Sequence, residues 1–100
     1  MKLYFIYILE CSDKTFYTGF TSNPEKRVFQ HNNGIDKNAY TYKRRPVALK
    51  WIESFTDPNQ AIIVEKQIKG WSHKKKLALI AEDWDKLVAF SKNKYKKGLG

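Results

Sequence analysis

The sequence predicts an α/β fold, a small three-stranded and mainly antiparallel sheet flanked by helices in the order β-β-α-β-α-α-α. Three observations predict it. Two apolar, aromatic-rich stretches, Leu3 to Leu9 and Thr15 to Phe20, are separated by the polar run Glu10-Cys11-Ser12-Asp13-Lys14. That is the pattern of a β-hairpin. Two pairs, Asn23-Pro24 and Asp57-Pro58, each open a stretch of helical character, and Val47 to Phe55 alternates between them as a third strand.

The first stretch is apolar on both faces, as a central strand would be. Gly19 inside the second strand implies close approach by another group, either a phosphate or a packed neighbour. Asn23 supplies a helix cap, Pro24 the first helical position and Glu25 an acid in the first turn. This helix is expected to run to about Asn32, with Gly34 as its stop. Ile35 to Arg45 reads as a polar, basic loop containing Tyr40 and Tyr42. In the third strand Val47, Leu49 and Trp51 are expected on one side, with Ala48, Lys50 and Ile52 on the other. Asp57 caps the second helix, with Gln60 at the capping-box position and an apolar stripe of Ala61, Val64, Ile68 and Trp71. Gly70 ends it. Ser72 caps a third helix through Ile80, and Asp83 a fourth through about Phe90. The Lys-rich segment from Ser91 reads as a frayed tail. The expected organisation is one domain, 1–90, followed by a basic, flexible tail, 91–100.

A chain of 100 residues with 42% hydrophobic and 15% aromatic content has enough apolar surface for one core. Lys and Arg outnumber Asp and Glu by 19 to 10, a formal net charge of +9. Such an excess favours polyanions, because neutralising phosphates releases their counterions. No apolar run is long enough to span a bilayer, so no membrane partner is expected. Cys11 is the only cysteine, which excludes an intrachain disulfide and fits a reducing, cytoplasmic setting.

The residues with chemical potential occur in one ordered set: Tyr7, Tyr17, Gly19, Arg27, His31 and Glu65. A hairpin would bring both phenols together. Arg27 and His31, spaced i, i+4, share one helix face. Glu65 lies one residue beyond the apolar stripe of its helix, where a carboxylate can present oxygen to a hard cation while its stem stays packed. Each has a plainer reading as a packed aromatic, a solvated arginine, a C-terminal helix cap or one end of a surface ion pair. Tyr40, Lys43, Arg44 and Arg45 mix charge with stacking surface and form a candidate nucleic-acid contact loop. Lys74 and Lys75, at a helix start, form a second candidate. Trp51, Trp71 and Trp84 read as core.

This set resembles the GIY-YIG nuclease domain. Tyr7 closes the first motif, Tyr17-Thr18-Gly19 opens the second, Arg27 lies ten residues after Tyr17, His31 follows one turn later, and Glu65 sits on a later helix. The runs Tyr7 to Cys11, Tyr17 to Thr21, Tyr40-Thr41, Arg45-Pro46-Val47 and Ala61 to Lys69 are similar to the small, stand-alone bacterial branch. Phe5 stands where many relatives open the first motif with glycine, and Thr18 is the middle residue of the second. Neither position supplies a catalytic group.

The resemblance implies a metal-dependent endonuclease acting on DNA. It implies Tyr7, Tyr17, Arg27, His31 and Glu65 as catalytic residues, with Glu65 holding Mg²⁺ (or Mn²⁺), and a nucleic-acid partner met by Gly19, the Tyr40 to Arg45 group and the two lysines. One tyrosine would activate the water and Arg27 would stabilise charge. Which tyrosine is the base stays open. The alternative is a non-catalytic nucleic-acid-binding module that keeps the fold. A monomer is expected, with a partner protein supplying specificity.

Overall fold

A computed structural model describes residues 1–89. It divides into two compact units, Met1–Gly70 and the segment from Trp71 onward. The first holds β1 (Tyr4–Glu10), β2 (Phe16–Thr21), α1 (Pro24–Asn32), β3 (Ala48–Phe55) and α2 (Pro58–Lys69). The second holds α3 (His73–Ile80) and a further helical stretch at 84–89. Phe90 and the expected tail lie outside the described residues.

The sheet has the order β2-β1-β3, and β1 pairs antiparallel with both neighbours. Its central place follows from its composition, since Ile6, Ile8 and Leu9 carry no exposed surface at all. Burying each such side chain contributes about 1.5–3 kcal/mol relative to leaving it in water. Tyr7 stands directly opposite Gly19, and Leu9 opposite Tyr17. Directly opposed residues share a face, so Tyr7, Gly19, Leu9 and Tyr17 lie together. Ile6, Ile8 and Thr18 occupy the other face. Tyr7, Leu9, Cys11 and Val47 form a buried cluster, with Tyr17 and Val28 packed against it.

One expectation about β3 is corrected. The register slips between Ile8, which faces Trp51, and Leu9, which faces Leu49, so Lys50 is bulged out. The extra residue puts Leu49 on the Tyr7 face and Trp51 on the Ile8 face, not side by side. A strict period of two does not survive an inserted residue. Trp84, expected in the core, is 56% exposed.

The capping chemistry places the helices as the sequence requires. Asn23 Oδ1 accepts from the Lys26 amide at 3.1 Å, and Pro24 opens α1. Gly34 adopts φ +62° past the end of α1, a conformation that costs a side chain dearly. Asp57 Oδ1 accepts from the Asn59 amide at 2.9 Å, and α2 then packs against all three strands through a stripe that buries Ala61 and Ile68. In the second unit, Ser72 caps α3 through the Lys75 amide at 3.2 Å, and Asp83 accepts from the Lys86 amide at 3.2 Å. No helix among the described residues is long and apolar enough to cross a membrane.

Candidate active site

The site grows from the hairpin. Because Gly19 has no side chain, the Tyr7 ring lies across its backbone; a Cβ there would collide with the hydroxyl, Cζ and Cε1 of Tyr7. Of the two neighbours expected for Gly19, the structure therefore supplies a packed phenol. Tyr7 is 1% exposed, and its hydroxyl lies 3.1 Å from His31 Nε2 on α1. The charge of the Arg27 guanidinium bears on the same oxygen.

Burial, and next the neighbouring Tyr17 phenol, push the Tyr7 pKa well above its ordinary 10.0, with Arg27 opposing. The charge of Glu65 adds a smaller upward push, so this carboxylate on α2 is within electrostatic reach of the Tyr7 hydroxyl. The sequence separates the two residues by most of the domain; the fold brings them into one field.

His31 is half-buried, and burial followed by the Arg27 charge hold its pKa below the ordinary 6.5. The ring is therefore neutral at pH 7. Its Nδ1 lies 2.8 Å from Oγ1 of Thr41, a side chain that is 1% exposed. A neutral imidazole with one partner on each nitrogen has two possible tautomers. The Arg27 charge near the Tyr7 oxygen favours the one in which Nδ1–H donates to Thr41, because Tyr7 then donates to Nε2 and keeps its lone pairs for the guanidinium field. His31 is thus tied sideways into the site, and the plain reading as a helix cap does not describe it.

Tyr17 stands in front of this pair. Its ring centroid is 6.3 Å from Tyr7 and 5.2 Å from His31, the latter edge-on. With Arg27, Gln30, His31 and Thr41 it lines a cleft of about 200 Å³. Tyr40 stacks on Tyr17 at 6.1 Å and 22°, and the Arg44 guanidinium lies 3.9 Å from the Tyr40 centroid.

The basic loop is more internally occupied than its composition suggests. Arg44 Nε donates to Asp13 Oδ2 in the hairpin turn at 3.1 Å, and its Nη1 donates to the Tyr40 carbonyl at 2.8 Å. Arg45 lies over the Tyr42 ring at 4.4 Å, donates to the Tyr42 carbonyl at 2.8 Å and fills the space beside Gly34. Both arginines hold the loop; Lys43 and Tyr40 are the members with exposed side chains. Lys74 is exposed, but Lys75 departs from the expected surface contact, being buried with its ammonium 4.2 Å from the Trp71 centroid.

Glu65 is 17% exposed and pairs with Lys69 Nζ at 3.4 Å, one turn along α2. The donor set can be tested against a metal. Among the described residues no group of three His, Cys, Asp or Glu side chains comes together, so there is no all-protein cage of the kind zinc prefers. A single, mostly buried carboxylate whose partner is an exposed lysine offers one hard oxygen donor. That fits a strongly hydrated ion such as Mg²⁺, which keeps several waters and is completed by substrate phosphate.

Gln30 escaped the sequence reading, and Thr41 entered it only within the Tyr40-Thr41 run, with no role of its own. Thr41 is one hydroxyl in a polar loop, and its value depends on a contact ten residues away; the adjacent Tyr40 was the available signal. Gln30 lies one turn after Arg27 on the face already assigned to it.

A hairpin phenol pair, an arginine and histidine on the next helix, and a carboxylate on a later one define a GIY-YIG type of catalytic domain. The chain belongs to this family, whose description is "GIY-YIG catalytic domain" and whose model matches residues 3–78. It is 44% identical over 87 residues to a UPF0213 protein of Syntrophus aciditrophicus, covering 87% of this chain and 100% of that protein. Two solution NMR structures are similar. For the UPF0213 protein BH0048 from Bacillus halodurans, the TM-score is 0.52 at 35% identity, covering 79% of this chain and 83% of that one. For the protein EF2693 from E. faecalis, the TM-score is 0.58 at 34% identity, covering 82% and 86%. The fold, a three-stranded antiparallel sheet with flanking helices, is thus shared with these two structures, and a nuclease-like function is supported in general terms.

Proposed function

We propose that this protein is a metal-dependent endonuclease that hydrolyses phosphodiester bonds in DNA. The observation that carries the reading is the Tyr7 hydroxyl lying 3.1 Å from His31 Nε2, within the field of the Arg27 guanidinium. Burial makes a free Tyr7 phenolate costly at neutral pH, so Tyr7 works best as a relay. As water attacks the phosphorus it gives a proton to the Tyr7 oxygen, and Tyr7 passes its own proton to the neutral His31 Nε2. The leaving oxygen takes a proton from solvent. No net charge builds on the phenol, and Thr41 holds His31 in the accepting tautomer throughout.

Tyr17, whose ring lines the cleft, orients the water. Arg27 offers a planar fork of donors to the non-bridging oxygens, where charge develops. Glu65 would hold the Mg²⁺ (or Mn²⁺), which when bound supplies Lewis-acid polarisation of the phosphate and the leaving oxygen. The domain is read as a cytoplasmic monomer that relies on nucleic-acid shape or a partner protein for target choice.

The test is nicking of supercoiled plasmid and branched DNA by wild type and Tyr7→Phe with Mg²⁺ or Mn²⁺. The relay predicts activity that falls about 10²-fold or more in Tyr7→Phe. Absence of nicking by wild type on every substrate would replace this reading with a binding module, for which the +9 charge suffices and the Glu65–Lys69 pair is merely structural.

A further inference from the structure

A second cleft, of about 330 Å³, opens beside the first and is lined by Thr21, Ser22, Asn23, Lys26, Arg27 and Gln30. Arg27 and Gln30 line both clefts, so the two share a wall made by one face of α1. The chemistry of the second cleft is one-sided. Two cations line it and no carboxylate does, whereas Asp36 stands on the rim of the first. Among the described residues, Lys26 has no ion-pair partner. Asn23 spends its side-chain oxygen on the Lys26 amide, which leaves the Asn23 side-chain N–H₂ as donor. Ser22 adds a hydroxyl. The donors therefore outnumber the acceptors, and the excess charge is positive.

From this we infer that the second cleft binds a phosphodiester of the substrate strand next to the one held at Arg27, with Lys26 as its principal cation. A guanidinium carries five N–H donors in a rigid plane, so Arg27 can serve as the partition, facing the reacting phosphate on one side and its neighbour on the other. The strand then runs along α1, from the His31 end towards the β2–α1 turn. The inference rests on the nuclease reading for the first cleft, but its test does not require cleavage.

The experiment measures DNA binding by fluorescence anisotropy, without divalent metal, for wild type, Lys26→Gln and Lys26→Arg. Each is tested on a series of otherwise identical duplexes in which one phosphate at a time is replaced by a neutral methylphosphonate. Lys26→Gln should lower the slope of log K against log salt by about 0.9, the value for one lost phosphate contact. Lys26→Arg should restore it. One methylphosphonate position should weaken wild type several-fold yet leave Lys26→Gln unaffected, the coupling expected of a direct pair. If wild type also nicks, that position should adjoin the cut. An unchanged salt slope would overturn the inference. So would a loss spread evenly over all phosphates, which would mean that Lys26 contributes only to the general field. A wild type that binds with the coupling but never nicks would sink the nuclease reading and leave the cleft standing.

Discussion

Replacing Gly19 by alanine is the sharpest test of how the hairpin builds the site. The new Cβ would lie 2.8 Å from Tyr7 Cε1 and closer still to Cζ and the hydroxyl. The ring has to move, and strand β2 offers no slack because Gly19 is paired with Tyr7 across the sheet. Overpacking of this kind costs about 1–3 kcal/mol. Losing the hydrogen bond to His31 adds about 0.5–1.5 kcal/mol. Against this, alanine restrains the unfolded chain and returns about 0.4–1 kcal/mol. The balance is a destabilisation of about 0.5–4 kcal/mol, which lowers Tm by about 4–8 °C per kcal/mol in a domain of this size. Thermal unfolding followed by circular dichroism reads the stability, and the His31 ¹⁵N shifts read the lost contact. Introduced together with Tyr7→Val, the same alanine should cost little, since the colliding atoms are gone. If Gly19→Ala is as stable as wild type with unchanged His31 shifts, the argument that this glycine exists to admit the phenol is wrong.

The pH behaviour follows from the direction of two shifts. His31 has a folded pKa below 6.5, so its contribution to stability is full above pH 6.5 and is lost as pH falls from there through the folded value; denaturant midpoints of wild type and His31→Gln should diverge in that acidic window. Tyr7 is raised above 10.0, so its contribution is full below pH 10 and is lost as pH rises beyond it; a Tyr7→Phe protein should lack that alkaline fall. Because Arg27 is one of the two causes depressing His31, Arg27→Gln should move the His31 NMR titration upward, towards 6.5 without passing it. Thr41→Ser should preserve the His31 tautomer seen in ¹⁵N spectra, whereas Thr41→Val should lose it and cost about 1–3 kcal/mol by leaving a ring nitrogen unpaired.

Much of the fold could be read from local chemistry. Asn23-Pro24 and Asp57-Pro58 announce helix starts because capping and the proline φ restraint act within a few residues. The apolar run around Ile6 to Leu9 announces a central strand because burial on both faces leaves no polar position. What local pattern could not show depends on partners far along the chain. The bulge at Lys50 is fixed by pairing with β1, and nothing in the alternation of β3 marks it. Arg44 and Arg45 look like free nucleic-acid contacts until Asp13, Tyr40, Tyr42 and Gly34 take up their donors and faces. Lys75 reads as a surface cation because its ring partner lies four residues earlier on a turn, at Trp71. The ordered set from Tyr7 to Glu65 was visible, but the Thr41–His31–Tyr7 chain was not, since hydrogen bonds between side chains leave little trace in spacing.

The most direct measurement compares wild type with Glu65→Gln, which keeps the shape of the side chain and removes its charge. DNA affinity and Mg²⁺-dependent nicking are read on the same plasmid. Nicking should fall by about 10²-fold or more while affinity stays within a few-fold. A Glu65→Gln protein that nicks at the wild-type rate would contradict the account, because the carboxylate whose charge reaches the Tyr7 hydroxyl would then have no part in the chemistry.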